Sequence, residues 1–238
     1  MLADRKQTEA LKELGLLQAE IKDHYPKGLQ AWVHYYDGIA RYYQYDFINS
    51  IIANEKLGKL AAQEALPDTF RHISAISLIT LGASYSKIND PENAQLSYQK
   101  AIPQLQTLND STRLVHVYLN LGYLFTKSQD WASAKNVFTR GLSYLNKESN
   151  EDFSVPLYAS LSTTEVKLGN AEKAGSYLAE AGRLKNNFNN DIAHCFYELA
   201  AGETAILKKH YAEAITSFRN AINFGRQWGD SSAVAESL

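Results

Sequence analysis

A 40-residue period constrains this chain more than any other feature of its sequence. Gly82, Tyr85, Ala94, Tyr98 and Ala101 are answered 40 residues on by Gly122, Phe125, Ala134, Phe138 and Gly141. Two further copies keep the step, with Ser162, Ala174, Leu178 and Ala181 in one and Gly202, Ala214, Phe218 and Ala221 in the next. Asp110, Asn150, Asn190 and Asp230 are spaced by the same 40 residues, and Asp and Asn are the residue types that accept hydrogen bonds from the open amides at a helix start.

Within one copy the residue types describe two packed helices. A small residue (Gly82, Gly122) allows close backbone approach, and a bulky one three places on (Tyr85, Phe125) lies on the same helical face. The second helix offers a small, large, small series at i, i+4 and i+7, which is a stripe of helical period. A single hairpin of this kind cannot bury its outer apolar face, so tandem copies stack and share a continuous core.

The motifs Leu81-Gly82/Tyr85/Ala94/Tyr98/Ala101 and Leu121-Gly122/Phe125/Ala134/Phe138/Gly141 resemble the tetratricopeptide repeat, and the resemblance extends over residues 70 to 230. It implies an all-α fold, a right-handed superhelical solenoid of antiparallel helix hairpins. The departures are Ser162 in place of glycine, Glu165 and Ala205 in place of the aromatic, the missing closing proline, and a unit longer than the roughly 34 residues usual for the family. The whole chain reads as one repeat domain, 1–238, with units at approximately 1–28 (partial), 29–68, 69–109, 110–149, 150–189, 190–229 and 230–238 (partial).

Taken in order, residues 3 to 23 read as a second helix whose partner is missing, with Ala10, Leu14 and Leu17 at the repeat spacing. Tyr25-Pro26-Lys27-Gly28 breaks it. In the aromatic stretch that follows, either Gly38 or Ala40 can take the small-residue slot. Four extra residues separate Ser50 from Ala94, Pro91 suits a first helical position, and Pro103 is expected to kink the helix near Gln99. Asp230 caps a stretch of eight residues, too short for an isolated helix. These ends are expected of a piece of a longer array.

In the family's architecture the first helices line the concave surface, through positions six, three and one before the small slot and one and four after it. Those include His116, Leu119, Tyr123 and Thr126 in one unit and Ile76, Ile79, Ala83 and Ser86 in the preceding one. The Lys, Arg and Asn side chains with which some family members clamp a chaperone C-terminus are absent there, so an amphipathic or hydrophobic peptide is the better expected ligand. Tyr123→Ala is accordingly expected to weaken partner binding and spare folding.

Trp32, Tyr35, Ile39 and Tyr42 fall on one helical face and form either an aromatic anchor for a partner or core packing. Lys87, Lys127 and Lys167 recur every 40 residues; they could grip an acidic segment, although lysine near a helix C-terminus is favoured by the dipole in any case. The concave-face candidates are therefore Trp32, Tyr35, Tyr42, His116, Tyr123, Lys87, Lys127 and Lys167.

Composition narrows function further. A net charge of −2 across 238 residues supplies no basic excess for nucleic acid, and no apolar run reaches membrane-spanning length. The six histidines form no i, i+4 pair and no HExxH, so neither a metal nor another cofactor is expected. Cys195 is the only cysteine and is expected to be buried and inert. Without a Gly-rich phosphate loop or a nucleophile elbow, the chain is expected to be a non-enzymatic scaffold for a protein or peptide; its forty-residue units resemble those attached to bacterial regulators and sensor enzymes, a resemblance that implies the interaction or sensory segment of a larger bacterial signalling protein. A homo-oligomerisation module acting through the terminal helices, or a receptor for a small molecule or short signalling peptide, is the alternative. The first residues lack a secretory layout, giving a cytoplasmic location by default and an extracytoplasmic or periplasmic one as the alternative.

Overall fold

The computed structural model describes residues 12, 13, 15, 16, 25–63, 68–145, 151–185 and 191–228. Helix α1 spans Lys27–Tyr43 and α2 Phe47–Gln63; α3 spans Asp68–Lys87 and α4 Pro91–Thr107. They are followed by α5 (Ser111–Lys127), α6 (Trp131–Leu142), α7 (Glu151–Lys167), α8 (Ala171–Lys185), α9 (Asp191–Leu207) and α10 (Tyr211–Trp228). Among the described residues there is no strand. The helices pair as five consecutive hairpins, and the chain divides into two compact units, Met1–Asp110 and Ser111–Leu238.

The turn inside every hairpin has the same backbone solution. Tyr45, Asn89, Gln129, Gly169 and Lys209 each adopt a left-handed conformation, with φ of 62, 60, 58, 78 and 63°. The next residue's amide donates to the carbonyl five residues back, as in Asp90 to Tyr85 at 2.9 Å and Asn170 to Glu165 at 2.8 Å. This is a Schellman-type closure, which satisfies carbonyls left open at the helix end. The second helix then starts from a capping side chain: Asp90 accepts from the amide of Asn93 at 3.1 Å and Asp130 from that of Ser133 at 3.0 Å. Pro91 takes the first helical position, and α4 continues through Pro103 to Thr107. The helix expected over residues 3 to 23, the caps at Asn150, Asn190 and Asp230, and the terminal stretch 231–238 lie outside the described residues, apart from helical backbone at 12, 13, 15 and 16.

Packing follows the small and large residues of the repeat. The rings of Tyr98, Phe138 and Phe218 occupy the space that a Cβ on Gly82, Gly122 or Gly202 would need. Within each unit, buried clusters tie a hairpin to the first helix of the next one. Ala31 and Leu57 meet Ile73 of α3; Val115, Leu119, Ala134 and Phe138 meet Leu157 and Leu161 of α7; Val155 and Ala181 meet Ala193 of α9. This is nearest-neighbour stacking, in which the apolar face that one hairpin leaves open is closed by its successor.

Two departures from the apolar pattern are buried and satisfied. In the first hairpin Gly38 holds the small slot, because the Asn54 side chain stands where its Cβ would go. Asn54 thereby replaces the aromatic ring that Tyr98, Phe138 and Phe218 supply in three of the other copies. Ser50 donates to the Gly38 carbonyl at 2.7 Å and shares a 3.0 Å hydrogen bond with Ser84, while Ser77 donates to Asn54 at 2.6 Å. In α7, Glu165 stands at the aromatic position with no exposed surface. It pairs with Lys135 at 2.7 Å and accepts from Asn170 at 2.7 Å; burial pushes its carboxyl up, but these two partners outweigh it and hold it below the ordinary range.

Candidate functional site

With Gly38 in the small slot, Trp32, Tyr35, Ile39 and Tyr42 occupy four inner-face positions of α1, in step with Ile76, Ile79, Ala83 and Ser86 of α3. The stripe divides between core and surface. Tyr35 packs against the buried Ala31, Leu57 and Ile73. Trp32 is 36% exposed, stacks on the 52% exposed Tyr36 at 5.5 Å and 21°, and leans on Phe70 at 6.4 Å. Tyr42 is partly covered, edge-on to Tyr43 and Phe47 at 5.7 Å. Large aromatic surface held by neighbouring rings is already ordered, so a partner covering it loses little side-chain entropy.

In the second unit the candidate residues are engaged internally. His116 stacks on Phe153 at 5.0 Å and 13° and meets the Asn120 amide at 3.2 Å. Burial, with a smaller push from Arg113, lowers its imidazole to about 4, so it is neutral near pH 7. Tyr123 accepts from the Ser160 hydroxyl at 3.2 Å, lies edge-on to Phe138 at 5.8 Å and stacks on Phe196 of α9. Burial raises its phenol above the ordinary range. Phe196 sits six places before Gly202, at an inner-face position of its own helix, and the inner-face rule applied to α9 points to it.

Lys167 forms a 2.8 Å ion pair with Glu203. Lys87 and Lys127 are exposed in the last turns of α3 and α5, where the helix dipole favours a cation. Cys195 is buried, directs its thiol to the Ala221 carbonyl at 3.5 Å, and has its pKa pushed up by burial, an environment that suppresses thiolate chemistry. Among the described residues no three His, Cys, Asp or Glu side chains are grouped to hold a metal ion, and no helix is long and apolar enough to cross a membrane.

No family model matches the chain, and no curated protein matches it. Its likeness is to solved structures. The apo form of the quorum sensor NprR from B. thuringiensis superposes with a TM-score of 0.75 at 12% identity, over 100% of this chain and 64% of that one. The fold is that of tetratricopeptide-type repeat proteins. Apo RapI matches this TPR-type chain with a TM-score of 0.74 at 12% identity over 98% of it and 68% of RapI. BtubC (BKLC) from P. vanneervenii matches at 0.69 and 12% identity, over 95% and 91% of the two chains. NprR in complex with its cognate peptide NprX matches at 0.62 and 12% identity, over 94% of this chain and 64% of NprR.

Proposed function

We propose that this TPR-type chain is a non-catalytic scaffold that binds an apolar or amphipathic segment of a partner protein, using the aromatic edge of α1. The observation that carries the reading is the exposed Trp32 and Tyr36 pair, stacked at 5.5 Å beside the inner-face positions of the first hairpin. Trp and Tyr concentrate binding energy because a rigid ring buries much area with few torsions to freeze. The peptide complex of NprR, on a similar fold, supports a peptide as ligand. NprR is the longer protein, and its description as a quorum sensor supports reading this chain as the interaction segment of a signalling protein. The hollows of this chain open to solvent, which favours a polypeptide segment over an enclosed small molecule.

A random dodecapeptide library selected on the full chain tests this. The expected binders carry apolar residues at helical spacing and lose at least roughly tenfold in affinity when Trp32→Ala and Tyr36→Ala are combined, about 1.4 kcal/mol. Binders indifferent to that double change, or a selection that yields none, overturn it.

A further inference from the structure

A second hollow lies on the opposite side of the first unit and has a different chemistry. It is a groove of about 1080 Å³ between α2 and α4, floored by α3. The α3 residues that line it, among them Arg71, Ser74, Leu78, Leu81 and Tyr85, lie about 150° around that helix from Ile76, Ile79 and Ala83. On α4 the lining runs from Asn93 to Thr107, a length of about 21 Å at the helical rise. That is the length of a partner helix of roughly 14 residues.

The charges in the groove are not balanced. Among the described residues its lining carries the cations Lys59 and Lys100, besides Arg71, and the carboxylate Glu55. That carboxylate is engaged by the Tyr85 hydroxyl, which donates to it at 2.7 Å. Among the described residues Lys59 and Lys100 have no carboxylate within ion-pair distance, and both are exposed. Between the cations Leu78, Leu81 and the 46% exposed Leu96 form an apolar strip. The corresponding groove of the second unit, between α8 and α10, differs. It is smaller, at about 750 Å³, and Glu213 there lies 3.4 Å from His210. A local excess of cations on a chain whose net charge is −2 selects for the opposite sign and speeds its encounter.

We propose that the α2/α3/α4 groove docks an acidic helical segment of a partner protein, its carboxylates on Lys59 and Lys100 and an apolar side chain on Leu78, Leu81 and Leu96. Phe70 is common to the groove and the aromatic edge, lining the one and lying against Trp32 of the other, whereas Lys59 and Lys100 line the groove and Tyr36 does not, so changes at those residues let each site fail without the other.

The test is a random sixteen-residue display library selected on the full chain and counter-selected on the Lys59→Glu, Lys100→Glu variant. Thermal melting shows whether that variant folds, and Lys59→Gln, Lys100→Gln is the milder version that removes charge without reversing it. Surviving sequences are expected to be acidic with apolar residues at helical spacing, to bind the reversed variant at least roughly tenfold more weakly, and to lose affinity as salt rises above about 0.1 M. They are also expected to bind the Tyr36→Ala variant, which leaves Trp32 against Phe70, unchanged. Survivors that are neutral or basic, survivors that need Tyr36, or no survivors at all overturn the assignment. So does a twenty-nucleotide oligothymidylate whose binding depends on Lys59 and Lys100, since the groove would then serve phosphates.

Discussion

The rings of Tyr123 and Phe196 stack at 5.9 Å and 10°, although α6, α7 and α8 intervene between their helices in the chain. Between them α7 contributes the small side chain of Ser160, whose hydroxyl donates to the Tyr123 oxygen at 3.2 Å. Tyr123, partly buried, is thus engaged in packing within its unit as well as standing at an inner-face position. Tyr123→Ala is expected to lower stability by about 3 kcal/mol, the lower end for truncating a packed aromatic, and Tyr123→Phe by about 1 kcal/mol through loss of one hydrogen bond. Denaturant titration of the two variants reads the difference. A Tyr123→Ala variant as stable as the parent would show that the stacking is not made in solution.

Gly122 is matched to the ring of Phe138, which fills the place of its missing side chain. Gly122→Leu should overpack that contact and cost about 1 to 3 kcal/mol or more. Combining it with Phe138→Leu should recover part of the loss, because the two residues share one volume. Losses that simply add would mean that the ring and the glycine do not compete for space.

Ser77 is the buried donor to Asn54, at 2.6 Å. Ser77→Ala leaves an amide oxygen without that partner away from water and is expected to cost about 1 to 3 kcal/mol. Ser97, which donates within α4 to the Asn93 carbonyl at 2.7 Å, is the matched control. Its replacement by alanine frees a carbonyl at an exposed residue and should cost less than about 1 kcal/mol. Calorimetric melting of the pair ranks them.

His116 gives the stability a pH dependence of defined sign. Burial and Arg113 lower its imidazole to about 4, below the roughly 6.5 of an unfolded chain. Between these values the unfolded state binds the proton and the folded state does not, so stability is full above about 6.5 and falls as pH drops toward about 4. The loss from this group is at most about 3 kcal/mol. His116→Phe should flatten that part of the profile and keep the stack on Phe153. An unchanged profile would assign the acid sensitivity to other groups.

The hairpins were legible because their signals are local. A glycine, a ring four residues from an alanine and an aspartate at the turn each act within one or two helical turns, and α3 to α10 begin and end within a few residues of the boundaries so implied. The first hairpin was legible only in part. Sequence left Gly38 and Ala40 as rivals because Gly38 puts Asp37 and Arg41 where apolar residues were expected, and such a pair is recognisable as acceptable only once Arg41 is seen to donate to Asp37 and Asp46, each at 2.8 Å.

The candidate site was less legible than the fold. Helical period put Trp32, Tyr35 and Tyr42 on one face, but it could not tell that Tyr35 turns into the core while Trp32 pairs with the neighbouring, exposed Tyr36. The sequence alone determined helix, turn and repeat, since backbone hydrogen bonds and apolar spacing are set by neighbours along the chain. Only the tertiary structure decided which inner-face side chains remain free for a partner, because exposure depends on what the next hairpins bring against them, as Phe196 does to Tyr123 and Glu203 to Lys167.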